Sequence, residues 1–329
     1  MEELVKTVET EGAVRKRISI MVPTYNEEEN VIPLTEAIVA EFAKSLPQYD
    51  YDITFIDNCS TDTTREKLEA LCAANPRVRT IFNVRNFGQF NSPYHGICQT
   101  TGDCTIPLCA DFQDPIEMIP TLVAEWEKGY KVICAVKKTS KENKLMRFLR
   151  TCYYKMIRKM SSVEQIEHFT GFGLYDRSFV DVLRTLDDPS PFIRGIVAEL
   201  GFAKKLVPYE QAKRRAGKTH NNFNTLYDAA MLSFTTYTKT PIRMAGMLGY
   251  LFLTASLLGG VACLVLHLLH INIHELWLLP TIGFFGSLNL IFTSIIGEYL
   301  LTMRSKLNKR PLVIEERRIN FDDDAPKSK

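Results

Sequence analysis

Two stretches near the C-terminal end of this 329-residue chain, 244–269 and 276–297, contain no Asp, Glu, Lys or Arg. Crossing a hydrocarbon core takes about 20 apolar residues, and both stretches are long enough. Residues 270–275 join them, so the pattern predicts a transmembrane helical hairpin over 242–303. Two buried core helices are the competing reading, and two such runs in succession are rare in soluble domains. Lys239 and Arg243 precede the first run, and Arg304, Lys306, Lys309 and Arg310 follow the second, while the connection has no Lys or Arg. Positive charge stays on the cytoplasmic side, which places both chain ends there. His267 and Glu298 lie near the ends of the runs, where long or polar side chains reach the interface, and need no functional role. Small residues at Gly246, Gly249, Gly259 and Gly260 would let paired hairpins self-associate as a homo-oligomer.

The preceding part, 17–221, reads differently. Short, apolar, often β-branched runs at 17–22, 53–57, 78–83, 104–109 and 131–136 alternate with helical patterns such as 32–42 and 64–73. That alternation predicts a mostly parallel sheet with helices on both faces. Thr63 with Glu66 three residues later predicts a capping box at the second helix. Residues 1–16 form a polar extension with no apolar core of the secretory kind. The eight cysteines include no CxxC pair, which argues against a zinc site or a disulfide framework and fits a reducing compartment. A net charge of +2 offers no polyelectrolyte argument for nucleic acid.

The charge that exists is unevenly placed. Over 144–160, Leu145, Phe148, Leu149, Cys152, Met156, Ile157 and Met160 recur at helical spacing among Lys144, Arg147, Arg150, Lys155, Arg158 and Lys159. A basic amphipathic helix of this kind lies on an anionic membrane surface, or packs on the sheet with a solvated basic face. A second cluster, Lys213, Arg214, Arg215 and Lys218 around Gly217, sits ahead of residues 222–241, which read as a juxtamembrane helix. Those cations are either topogenic or hold phosphates.

Polar groups gather just past three of the apolar runs: Pro23-Thr24-Tyr25-Asn26-Glu27, Asp57-Asn58-Cys59-Ser60-Thr61-Asp62, and Asp111-Phe112-Gln113-Asp114-Pro115. In open α/β sheets ligands bind outside the carboxyl ends of the strands. Thr24, Tyr25, Glu27 and Asp57 suit the base and ribose of a nucleotide. Asp111 and Asp114 suit a hard cation, since Mg2+ takes one or two carboxylates and completes its shell with water and phosphate oxygens. The competing reading of each loop is a polar turn, the last one capping the next helix at Pro115.

These segments, with Arg85-Asn86-Phe87-Gly88, resemble the pattern of glycosyltransferase family 2 on a GT-A fold. With the C-terminal runs added, residues 17–310 are similar to the polyprenyl-phosphate glycosyltransferases, such as the dolichol-phosphate mannose synthase and bactoprenol glucosyltransferase types. The resemblance implies an α/β, Rossmann-like nucleotide-sugar domain followed by the transmembrane hairpin. It also implies a nucleoside-diphosphate sugar donor, with UDP the usual nucleotide, a divalent metal (Mg2+ or Mn2+), a polyprenyl-phosphate acceptor and inversion at the anomeric carbon. Carried over by position, Pro23, Thr24, Tyr25, Glu27 and Asp57 match the nucleotide-binding strand ends. Asp111 matches the second acid of the Asp-x-Asp metal motif, and Gln113 and Asp114 the catalytic polar positions after it. Arg214, Arg215 and Lys218 match the basic segment expected to hold the acceptor phosphate.

Two departures stand out. Cys109 occupies the first Asp-x-Asp position, and a neutral thiol is a poor ligand for a hard cation. Thr170-Gly171-Phe172-Gly173-Leu174-Tyr175 lacks the acid and the arginine that relatives often carry there. No catalytic base is evident, and Asp114 and Asp176 are the candidates that remain. A phosphate monoester has a second pKa near about 6 and needs no base to attack, whereas a sugar or lipid hydroxyl does. The expected activity is therefore sugar transfer to polyprenyl phosphate at the cytoplasmic face. The rivals are transfer to a saccharide or lipid hydroxyl, and a degenerate, non-catalytic membrane scaffold.

Overall fold

The computed structural model describes residues 15–138, 166–186, 191–212 and 311–321, with isolated positions elsewhere, among them 188, 215, 231 and several between 285 and 303. The helix expected at 144–160, the first charge-free run, the connection after it, the juxtamembrane segment, Arg214 and Lys218 lie outside the described residues, as does most of the second run. Among the described residues no helix is long and apolar enough to cross a membrane. Contacts divide the chain into two units, one of 1–142, 166–220 and 310–329, the other of 143–165 and 221–309.

The first unit is an eight-stranded sheet flanked by helices. In chain order it runs β1 (Arg17–Thr24), α1 (Val31–Ser45), β2 (Asp50–Asp57), α2 (Thr64–Ala74), β3 (Val78–Asn83), α3 (Gly88–Gln99) and β4 (Cys104–Pro107). It continues with α4 (Ile119–Glu127), β5 (Val132–Lys137), β6 (Phe169–Asp176), α5 (Arg177–Thr185), α6 (Ile193–Glu199), β7 (Lys204–Tyr209) and β8 (Glu315–Ile319). Spatially the strands order β7-β5-β6-β4-β1-β2-β3-β8.

The strands at the sheet centre are apolar on both sides because both sides are covered. From β1 and β2, Ile18, Ile20, Val22, Ile53 and Phe55 pack with Leu34, Ile38 and Phe42 of α1, Leu68 of α2 and Leu122 and Trp126 of α4. Met21 and Ile56 point to the opposite side, among Tyr94 and Ile97 of α3, Phe179 and Leu183 of α5 and Ile196 of α6. β1, β2, β3 and β4 pair in parallel, as expected, and β4 ends two residues early, at Pro107, which has no N–H to donate. Two strands run against the rest. β6 lies antiparallel between β4 and β5, and β8 closes the far edge antiparallel to β3.

The capping box at α2 does not form. The Thr63 hydroxyl donates to the Glu28 carboxylate instead, and Asp62 takes over the cap by accepting the Thr64 N–H at 3.0 Å. The six described cysteines are all free.

Candidate active site

Strand register brings the expected loops together. Thr24 pairs with Asp57 at the ends of β1 and β2, Pro23 with Ile56, and Met21 with Pro107 of β4. The chain beyond Pro107 still follows β1 for one residue, through Leu108 N–H to the Met21 carbonyl at 2.9 Å. The segments after β1, β2 and β4 therefore emerge side by side from one end of the sheet.

Hydrogen bonds then stitch the first two loops into a single surface. Thr24 is buried and its hydroxyl donates to the Ile56 carbonyl at 3.2 Å. Asn26 adopts φ 55°, a left-handed conformation that Asn tolerates better than most residues. That turn aims its N–H at Ser60 Oγ, 2.9 Å away, and its side-chain oxygen at the Thr61 N–H, 2.8 Å away. Glu27 N–H donates to Thr64 Oγ1 at 2.9 Å, while its carboxylate accepts from Asn30 at 2.6 Å. Pro23, Tyr25 and Glu27 stay half-buried on this surface. Asn58 ties on the loop after β3 by accepting from Phe87 N–H at 2.9 Å and donating to Asn86 at 2.9 Å.

Asp57 is fully buried, and its carboxylate turns into its own loop. It accepts from Ser60 N–H at 3.2 Å and Ser60 Oγ at 2.5 Å, with the Arg65 Nε 3.5 Å away. Burial pushes this carboxyl above its ordinary range, against the opposing pull of Ser60 and Arg65. Its position matches the expectation, and its visible work is to shape the loop 57–62.

The two acids after β4 separate in the same way. Asp114 closes the turn from within, accepting Cys109 N–H at 3.2 Å and the Tyr209 hydroxyl at 3.3 Å. Burial pushes its carboxyl up, partly offset by those bonds. The turn reading thus holds for Asp114. Asp111 is also buried, and accepts the Gln113 N–H at 3.1 Å across Phe112, whose φ is 61°. Cys109 is reached by solvent yet densely surrounded, and that crowding, with the Asp114 and Asp111 carboxylates, drives its thiol well above the ordinary range. A thiol kept protonated is no ligand for a hard cation.

The basic segment ahead of the second unit reaches this same turn. Ala212 N–H donates to the Gln113 carbonyl at 3.3 Å, and Arg215 N–H to the Asp111 carbonyl at 3.2 Å. The Arg215 guanidinium stands 5.1 Å over the Phe112 ring. Of the expected phosphate-binding cations, Arg215 is therefore beside Asp111.

Asp176 is at the wrong place for a base. β6 runs antiparallel to β4, so Asp176 pairs with Cys104, at the start of β4 and the opposite end from Asp111. There it caps α5, accepting from Ser178 N–H at 3.0 Å, Trp126 Nε1 at 2.7 Å and Lys131 Nζ at 3.1 Å. Burial opposes its ionisation, yet these bonds hold its carboxyl below the ordinary range. Gly173 explains one departure from the family pattern. A Cβ there would lie 2.0 Å from the Ile133 carbonyl oxygen of β5, so no side chain fits.

Among the described residues, no group of three or more His, Cys, Asp and Glu side chains is placed to hold a metal. The one hard oxygen donor among the expected metal-motif positions is the Asp111 carboxylate, since Cys109 offers a thiol, so a cation here would lean on Asp111 and on oxygens from outside the protein.

Comparison with known proteins bears on the same residues. The family model "Glycosyl transferase family 2" matches residues 19–184. The chain is 31% identical to the prophage bactoprenol glucosyl transferase homolog of Escherichia coli K12, over 92% of this chain and 99% of that one. It is 31% identical to the bactoprenol glucosyl transferase of Shigella phage SfX, over 90% and 97%, and 31% identical to that of Shigella phage SfV, over 91% and 97%. The chain is a glycosyltransferase, and belongs to glycosyl transferase family 2 in the polyprenyl-phosphate glycosyltransferase group.

Proposed function

We propose that the protein transfers a hexose from a nucleoside-diphosphate sugar, UDP-linked by family habit, to a polyprenyl phosphate such as undecaprenyl or dolichyl phosphate. A phosphate oxygen of the acceptor attacks the anomeric carbon, the bond from that carbon to the diphosphate oxygen breaks, and the nucleoside diphosphate leaves with the electron pair. Attack from the opposite face inverts the centre. No proton has to be removed, because the phosphate monoester is largely dianionic at neutral pH.

The observation that carries this reading is Arg215 against the Asp111 turn. It puts a cation for an acceptor phosphate next to the acid expected at the donor diphosphate. The alternative bases support it by their placement: Asp114 is closed into its turn and Asp176 lies at the other end of the sheet. A hydroxyl acceptor needs a base, and neither of these two stands ready for one. The names of the similar bactoprenol glucosyl transferases point to the same acceptor class. Asp111 would hold the Mg2+ or Mn2+, and a bound metal supplies positive charge to the departing diphosphate.

The reading places the enzyme in a membrane through two spans, with the catalytic unit and both termini cytoplasmic, at the inner membrane if the source is bacterial. Its support is the charge-free runs and their basic flanks. In the second unit, Ile296, Leu300 and Met303 share one helical face and are each more than half exposed, which suits lipid. Gln113 and Asp114 then serve the site by holding the turn that presents Asp111, and Arg214 and Lys218 join Arg215 at the acceptor phosphate. The test is to incubate membranes containing the protein with a panel of nucleotide sugars and identify the lipid product by mass spectrometry. Oligosaccharide acceptors run in parallel separate the hydroxyl reading. Asp111→Asn should lower transfer by about a hundred-fold or more at saturating metal. A wild-type rate in that variant would refute the site.

A further inference from the structure

β8 reaches the donor loops from the far end of the chain. Its Glu316 carboxylate pairs with the Arg65 guanidinium at 2.5 Å, across 251 residues. The same guanidinium sits 3.5 Å from the fully buried Asp57 carboxylate through Nε. Arg65 also stacks on Phe82, 4.9 Å from the ring, and Arg317 of β8 stacks on that ring at 4.6 Å. Phe82 and Asp57 are direct neighbours in the register of β3 and β2. The strand itself is docked independently of Arg65. Val84 N–H donates to the Ile314 carbonyl at 3.1 Å, Val313 is buried, and Asn320 Nδ2 donates to the Cys72 and Val78 carbonyls at 2.7 and 2.8 Å.

The guanidinium is hydrogen-bonded at its Nη2 end to Glu316, while its buried Nε makes no hydrogen bond and faces Asp57 as charge alone, so Glu316 fixes how near that charge lies to Asp57. We infer that Arg65 and Glu316 are positioning residues for the nucleotide: Glu316 holds Arg65, Arg65 faces Asp57, and the loop 57–62 takes its donor-binding shape with the Glu316 carboxylate set against Arg65. Arg65 neutralises a carboxylate that is otherwise buried among Ser60 and backbone, so losing its anchor frees the Asp57 loop to relax. The inference rests on the reading of that loop as nucleotide-binding, and it makes the segment after the second charge-free run part of the donor site.

The test uses the full chain in detergent, with UDP as the probe and calorimetry as the measure of binding. Hydrogen exchange of peptides covering 57–62 is followed without nucleotide. Glu316→Gln should speed exchange in that loop and weaken UDP binding about three- to five-fold, the upper end of what an exposed ion pair is worth. Arg65→Ala should do more, and Arg65→Ala with Glu316→Gln no more than Arg65→Ala alone, because Glu316 acts through Arg65. Asn320→Ala, which touches the strand's docking and not Arg65, should leave UDP affinity within two-fold of wild type, as an outcome of roughly that size marks noise. Additive effects in the double variant, or equal losses in Asn320→Ala and Glu316→Gln, would overturn the relay. If wild type binds no UDP while the exchange pattern follows the relay, the nucleotide reading fails and the proposal with it; if UDP binds and exchange in 57–62 is unmoved by Glu316→Gln, the relay alone fails.

Discussion

Glu315 is the residue on which the docking of the C-terminal strand depends most sharply. Burial alone would raise its carboxyl, but hydrogen bonds and charge from His95 and Arg318 overcome that and bring it from 4.5 to about 2. His95 Nε2 lies 2.5 Å from one oxygen, and Arg318 grips the carboxylate from the same strand. At 1.36 kcal/mol for each pH unit, that displacement corresponds to about 3 kcal/mol favouring the ionised folded state, of which docking takes only the His95 share, about 1 kcal/mol, because Arg318 stays beside Glu315 on the released strand. A depressed carboxyl stabilises fully above its unfolded value, so the contribution is whole above 4.5, shrinks as pH falls towards about 2, and is gone below it. Glu315→Gln keeps the shape and removes the charge. Amide exchange at the outer edge of β3, read at Val84 whose N–H bonds the Ile314 carbonyl, reports the release of β8 directly. At neutral pH the variant should lose about five- to ten-fold of protection there, from about 1 kcal/mol. Wild type, corrected for intrinsic exchange, should lose protection between pH 4.5 and about 2, and the variant should not. The same acid limb in both proteins would refute the assignment of that titration to Glu315.

Other outcomes follow from single contacts. Gly173→Ala should split β6 from β5 and cost about 3 kcal/mol or more, seen as a lowered unfolding midpoint, because its Cβ would meet the Ile133 carbonyl oxygen at 2.0 Å. Asp176→Asn should weaken the α5 cap by about 1–3 kcal/mol and flatten the loss of stability below pH 3.8, since a depressed carboxyl contributes only above its folded value; transfer measured at a permissive temperature should stay near wild type. Cys109 should alkylate slowly at pH 8 despite its exposure, and Asp114→Asn should speed it by removing a carboxylate that holds the thiol protonated. Iodoacetamide labelling followed by mass spectrometry reads that rate.

The parallel half of the sheet is legible in the residues because a strand covered on both sides must be apolar throughout, and its end is marked where polar loop residues begin. β1, β2 and β3 therefore stand within a few residues of the apolar runs that announce them. β8 is not legible in this way. Glu315-Glu316-Arg317-Arg318 reads as a solvated tail, and charge is what an edge strand carries. Its place is decided by partners such as Glu69, His95 and Gln99, more than two hundred residues earlier, which no local pattern reports. The inward turn of Asp57 and Asp114 is hidden for a similar reason. Residue type shows that a carboxylate stands at a strand end, while its direction depends on Ser60, Cys109 and Tyr209 around it.

The direction of β6 links the two departures from the family pattern. Running antiparallel between β4 and β5, it carries Asp176 away from the Asp111 end and leaves that acid to cap α5. The same strand passes β5 so closely at Gly173 that no side chain, the arginine of the family pattern included, has room. A site built on this sheet has to find its cation elsewhere, and the chain supplies one where the Ala212 and Arg215 N–H groups bond the Gln113 and Asp111 carbonyls and Arg215 stacks on Phe112. Among the described residues, cationic positioning with Asp114 closed into its turn and Asp176 at the far end of the sheet suits a phosphate nucleophile better than a hydroxyl. The backbone path of β6 thus removes one candidate base from the Asp111 end, and Arg215 on the Phe112 turn supplies the cation that carries the reading.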